Sequence, residues 1–97
     1  PLTGYGDFAA IRNNLIQGNL FVATPGGYCA YGGSSGVGIK DYAHLAENIK
    51  FIDNVFQRGS NGKCGYWGHI SDFDPTRPGN EWTGNKWDDG KVANPYP

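Results

Sequence analysis

Four side chains have the types needed for acid–base attack on a phosphodiester or glycosidic bond: His44, Glu47, His69 and an arginine, Arg58 or Arg77. A carboxylate and an imidazole can move protons to and from a substrate while a guanidinium holds a phosphate. His44 and Glu47 stand three apart, one turn of a helix, but off the apolar stripe of their segment. That is equally the pattern of a solvated face. A small secreted hydrolase, ribonuclease-like or glycan-acting, is therefore one reading of this set.

Other chemistries are less well supplied. Cys64 has Lys63 beside it and His69 five residues on, as a thiolate nucleophile would need. Cys29, Cys64, His44 and His69 number enough for zinc, but no C-x₂-C or H-x₃-H spacing groups them. "GSSGVGIK" (Gly33–Lys40) resembles a phosphate-cradling loop, yet Ile39 displaces the lysine and Asp41 stands where a hydroxyl belongs. Asp72, Asp74, Glu81, Asp88 and Asp89 offer calcium ligands without the glycine and glutamate of an EF-hand loop. The expectation is a chain with no metal and no cofactor.

The aromatic set is the richer signal. Rings make up 14% of the chain, and Tyr66, Trp67, Trp82 and Trp87 could form a sugar-stacking or protein-binding surface. They could equally be core rings standing in for scarce Leu and Val. These four are the expected binding surface.

The elements that would position these residues follow from spacing. Phe8, Ile11, Leu15 and Ile16 between Asp7 and Gly18 predict a short helix. Asn19–Thr24 and Tyr28–Tyr31 predict strands joined as a hairpin through Pro25–Gly27. Gly32–Gly38 reads as a loop. Ile39–Gly59 predicts a long helix, with Tyr42, Leu45, Ala46, Ile49, Ile52 and Phe56 on one stripe and Phe51 and Val55 on the rear. Gly62–Ile70 predicts a third strand, and Lys91–Asn94 a short edge strand. The sum is an α+β fold: a two-layer α/β sandwich, two helices on a mainly antiparallel sheet of three to four strands.

Ninety-seven residues make a single domain, 1–97, with a modest core. A net charge of −1 gives no nucleic-acid footprint. No apolar run reaches the ~20 residues of a membrane span. The chain has no methionine and begins at Pro1, which reads as a processed product. Its two cysteines then read as one disulfide, Cys29–Cys64, in an oxidising, extracellular setting. The bridge closes a loop of about 36 residues, worth roughly 3.5–4 kcal/mol.

"GYCAY" (Gly27–Tyr31), "VGIKDYAHLAENIKFI" (Val37–Ile52) and "NGKCGYWGHI" (Asn61–Ile70) together resemble the necrosis-inducing-factor domain of fungal secreted effectors. That family is similar in organisation to small killer toxins with an α/β sandwich. The resemblance implies a secreted, non-enzymatic virulence effector or toxin. It would bind a protein, channel or membrane component on a target cell, with self-association or a second processed chain as further partners.

Overall fold

The structure, a computed structural model, describes residues 11–33 and 46–97. Three short segments of sequence recur in it at equivalent places: "GNLF" at Gly18–Phe21, "DNVF" at Asp53–Phe56 and "GNKW" at Gly84–Trp87. Each has an Asn two residues before a ring. Each opens on a residue with positive φ, at 68° for Gly18, 53° for Asp53 and 68° for Gly84. Glycine adopts this conformation freely and Asp tolerates it.

Each segment is a corner between two strands. β1 (Arg12–Gln17) and β2 (Leu20–Phe21) flank the first, β4 (Glu47–Ile52) and β5 (Val55–Phe56) the second, β7 (Glu81–Thr83) and β8 (Lys86–Trp87) the third. A further strand follows the first two corners, β3 (Tyr28–Tyr31) and β6 (Gly68–Ser71). The strands pair only with their equivalents, in parallel, as β1-β4-β7, β2-β5-β8 and β3-β6. The chain thus winds as three stacked rungs of a β-solenoid, each rung packing on its neighbours in sequence.

Identical positions stack. Register places Ile16, Phe51 and Trp82 in one inward column and Phe21, Phe56 and Trp87 in another. The Phe21 and Phe56 rings stack at 4.8 Å, and Phe51 lies 5.3 Å from Trp82. Phe51, Phe56, Ile70 and Ala30 are fully buried around them.

The corners carry an asparagine ladder. Asn54 Oδ1 accepts from the Asn19 backbone N–H at 3.0 Å and from its Nδ2 at 3.2 Å. Asn85 Oδ1 accepts from Asn54 in the same two ways, at 3.0 and 2.9 Å. Asn54 Nδ2 also donates to the Ile16 carbonyl and Asn85 Nδ2 to that of Phe51, both at 2.8 Å. Asn54 and Asn85 are almost wholly buried, and these bonds are what permit it.

The third rung is closed by the tail, which folds back along β8. Val92 bridges Lys86 in antiparallel fashion, Ala93 N–H donates to Asn85 O, and Trp82 Nε1 donates to Ala93 O at 2.7 Å. The edge strand expected at Lys91–Asn94 is this single bridge.

The expected α+β sandwich is overturned: among the described residues there is no helix, and the sheets are parallel rather than antiparallel. Residues 12–17 of the first expected helix are strand β1. The described part of the long one holds strands β4 and β5, with left-handed residues at Asn48 and Asp53 (φ 54° and 53°) that no helix contains. Ile49, Ile52 and Val55 are β-branched and suit strands. β2 and β3 do not pair with each other, so the hairpin is absent as well. The third expected strand shortens to Gly68–Ser71. His44, the Gly33–Lys40 loop beyond Gly33 and the segment before Ile11 lie outside the described residues.

The ladder predicts a graded cost. Asn54→Ala strips partners from the part-buried Ile16 carbonyl, the Asn19 N–H and the buried Asn85 amide oxygen, and should destabilise by about 2–4 kcal/mol in urea unfolding. Asn19→Ala, at the ladder's end, should cost about 1 kcal/mol or less. Equal costs at the two positions would mean that the ladder does not hold the rungs.

Candidate functional site

Cys64, Gly65, Tyr66, Trp67 and Gly68 form a turn entering β6, and each backbone N–H from Cys64 to Trp67 is donated within the fold. Cys64 N–H donates to Arg58 O and Cys64 O accepts from Thr24 N–H, both at 2.9 Å. Gly65 N–H closes the turn on Gly68 O. Tyr66 and Trp67 donate to Gly26 O and Gly27 O at 3.2 and 2.9 Å, and Asn61 Nδ2 donates to Gly65 O at 2.9 Å. Cys64 itself is left-handed at φ 70°. Gly65 is required sterically, since a Cβ there would meet Gly27 O at 2.5 Å and Gly68 O at 2.6 Å.

The disulfide pins this turn to β3. Cys29 and Cys64 are bridged, with Cα atoms 6.0 Å apart and both side chains buried. The two glycine-fenced stretches, Gly26–Gly33 and Asn61–Ile70, therefore lie side by side.

Held in this way, the turn projects two neighbouring rings into solvent: Tyr66 is 63% exposed and Trp67 59%. They touch edge-on at 5.8 Å, and Trp67 leans on half-buried Tyr28, which meets Tyr31 at 5.6 Å. The result is a four-ring ridge. Trp67 stands between two clefts, one of about 660 Å³ lined by Thr24, Pro25, Ser60, Asn61, Lys63 and Tyr66. The other, about 420 Å³, is lined by Arg58, Lys63, Trp87, Asn94 and Tyr96 among others.

Of the other expected surface rings, Trp82 packs against the core and Trp87 forms part of the wall of the smaller cleft. Trp82 packs among Phe51, Phe56 and Phe73 with its indole N–H spent on Ala93 O. Trp87 is partly buried, with its ring under the Arg58 guanidinium at 4.3 Å and against His69 at 4.6 Å. Arg58 is further fixed by Asp89 at 2.9 Å.

The acid–base set is only partly gathered. Glu47 is paired with Arg77 at 3.1 Å and lies 3.9 Å from Arg12. His69 is in a different sheet, buried, with Nε2 donating to the Asn94 carbonyl at 2.6 Å. A carbonyl only accepts, so the ring proton is on Nε2. Burial holds the His69 pKa below 6.5, with Arg58 adding to the shift against the Asn94 hydrogen bond. Among the described residues no group of three or more His, Cys, Asp or Glu could hold a metal. Asp74 instead caps its own turn through Thr76, and Asp89 does the same through Lys91.

No family model, curated protein or solved structure matches this chain. No helix among the described residues is long and apolar enough to cross a membrane.

Sequence reasoning singled out Tyr66 and Trp67 but not Asn61, Thr24 or Tyr28 around them. The signal available was the pair of glycine-fenced stretches, each holding one cysteine and two rings.

Two outcomes follow. Because the folded pKa of His69 is depressed, its contribution to stability is complete above about 6.5 and is lost as pH falls through the lower folded value. The thermal midpoint should therefore fall between pH 7 and 5, and His69→Gln, which keeps an N–H donor, should flatten that fall. Replacing both cysteines by Ser should remove about 3–4 kcal/mol in urea unfolding. A loss below about 1 kcal/mol would leave the turn held by its hydrogen bonds alone.

Proposed function

We propose that the chain is a secreted, non-enzymatic recognition module that binds a surface component of another cell through the Cys64–Gly68 turn, and that this component is a glycan. The observation that carries the reading is the pair of neighbouring rings, Tyr66 and Trp67, each more than half exposed on a turn whose backbone is already bonded. Large rings held in water cost free energy unless something covers them. A pyranose presents a flat face of C–H groups bounded by hydroxyls, which suits a ring with polar neighbours such as Thr24, Ser60 and Asn61. Because the turn is rigid, little conformational entropy remains to be lost on binding.

A non-catalytic role is supported by the linings. Among the described residues neither cleft includes an Asp or Glu side chain, and the imidazole that lines the smaller one, His69, is committed to Asn94. The sandwich that the effector and killer-toxin resemblance implied is replaced by a solenoid, so the reading rests on this turn. In a toxin or effector the turn would be the part that holds the target.

Titrating soluble cell-surface polysaccharides while following tryptophan fluorescence tests this. Saturable binding should weaken at least about tenfold in Trp67→Ala, a ring-stacking loss of 1–3 kcal/mol, with little change in unfolding free energy. Turnover of RNA or polysaccharide, abolished by Glu47→Gln or His69→Gln, would replace recognition with hydrolysis.

A further inference from the structure

We infer that the glycan is anionic, carrying its charge on the sugar stacked at Trp67 or on that sugar's neighbours, and that Lys63 reads it. This rests on the recognition reading above. Asp and Glu outnumber Lys and Arg by nine to eight in the chain, yet among the described residues no Asp or Glu side chain lines either cleft. Both clefts have a basic lining, and Lys63 belongs to both.

Among the described residues Lys63, like Lys86 and Lys91 but unlike four other cations, has no carboxylate partner, and of these three it alone lines the clefts. Arg12 and Arg77 meet Glu47, Lys50 meets Glu81, and Arg58 meets Asp89. Among the described residues Lys63 Nζ meets no carboxylate and no hydrogen-bond acceptor. Its position is nonetheless fixed, because its backbone N–H donates to Asn61 Oδ1 at 2.9 Å and Cys64 follows it. Arg58 adds a second cation to the smaller cleft, held by Asp89, Gly62 O and the Trp87 ring. Its Nη2 makes no hydrogen bond among the described residues.

A chain crossing the turn would place one sugar on the Trp67 indole and one in the cleft at either side. Lys63, beside the shared wall, reaches an acid group from either. Carboxylate and sulfate share the chemistry required, a surface anion with oxygens open to an ammonium. An exposed pair of this kind favours charged over neutral ligand modestly, and salt weakens it.

The test compares three ligands on the whole protein by calorimetric titration: a linear polyuronate oligosaccharide, the same oligosaccharide methyl-esterified to neutrality, and a sulfated oligosaccharide of similar length. At about 20 mM salt the charged chains should bind about five- to tenfold tighter than the ester, and the gap should narrow at about 200 mM. Lys63→Gln should remove most of that gap by weakening the charged chains far more than the ester, whereas Trp67→Ala should weaken all three. A sulfated chain bound tighter than the uronate, with the same Lys63 dependence, supports the inference and assigns the anion to sulfate. Equal binding of ester and uronate by the unmodified protein overturns the anionic inference and leaves glycan recognition standing. Binding of none of the three overturns both. A charge preference unmoved by Lys63→Gln places the anion site elsewhere and overturns the assignment.

Discussion

The structure depends on one repeated hydrogen bond, from the backbone N–H of a corner asparagine to Oδ1 of the equivalent asparagine one rung on. It fixes which residues stack. Once Asn19, Asn54 and Asn85 are in line, the residue before each must turn left-handed, and the residue two beyond each must point a ring inward. Phe21, Phe56 and Trp87 then form a column. Parallel strands of two to six residues have little register specificity of their own, because a slip by two keeps the same face inward. The ladder removes that freedom: a slipped rung would leave buried amide groups without partners, each costing about 1–3 kcal/mol.

The ladder governs the corner between the first and second strand of each rung and no more. β3 and β6 lie beyond it, at the end of segments that differ in length and sequence. There the disulfide does the equivalent work, joining β3 to the turn that opens β6. Its effect is local as well as global. By fixing Cys64 it sets where the following three residues pass, and the hydrogen bonds to Gly26 and Gly27 complete the turn. The exposed rings are therefore placed by a covalent bond inherited from the scaffold rather than by their own packing.

The disulfide was legible in the sequence although the fold around it was not, because the pairing needs only that the two cysteine-bearing stretches be neighbours. The helix between them was misread for a physical reason. Ala46, Ile49 and Phe56 are spaced as on a helical stripe, but here Ile49 alternates with Phe51 on one strand. The Asp53–Asn54 corner then shifts the phase before Phe56. Phe51, set on the rear of the expected helix, is fully buried, and that misplaced ring was the available sign of a strand. The repeat itself was visible as three of the five Asn-x-aromatic triplets in the chain. Their separations of 35 and 31 residues hid it, because rungs of a solenoid share corners while the segments between corners vary freely. Of the four expected surface rings, Tyr66 and Trp67 announced themselves by flanking glycines. Trp82 and Trp87 belong to the inward columns and could be assigned only once the rungs were in register.

Exposed apolar side chains among the described residues include Leu15 and Leu20, Val92 on the tail and the rings of the Cys64–Gly68 turn, and their backbones set what each can bind. Leu15 and Leu20 lie on β1 and β2, 59% and 60% exposed, where no described residue pairs with the outer strand edges and nothing described donates to Asn19 Oδ1. Such an edge offers main-chain groups and could accept another strand regardless of its side chains. At the opposite end the tail covers the edge of β8, bridging Lys86 and bonding Asn85, while no described residue pairs with the outer edge of β7. The Cys64–Gly68 turn differs from both. Its N–H groups are already donated, so strand addition has nothing to pair with there. What remains are two rings, the hydroxyls and amides beside them, and an ammonium, all attached to a backbone that does not move to meet a ligand. A surface with this inventory discriminates by shape, ring stacking, hydrogen bonding and charge, the properties on which the proposed glycan reading depends.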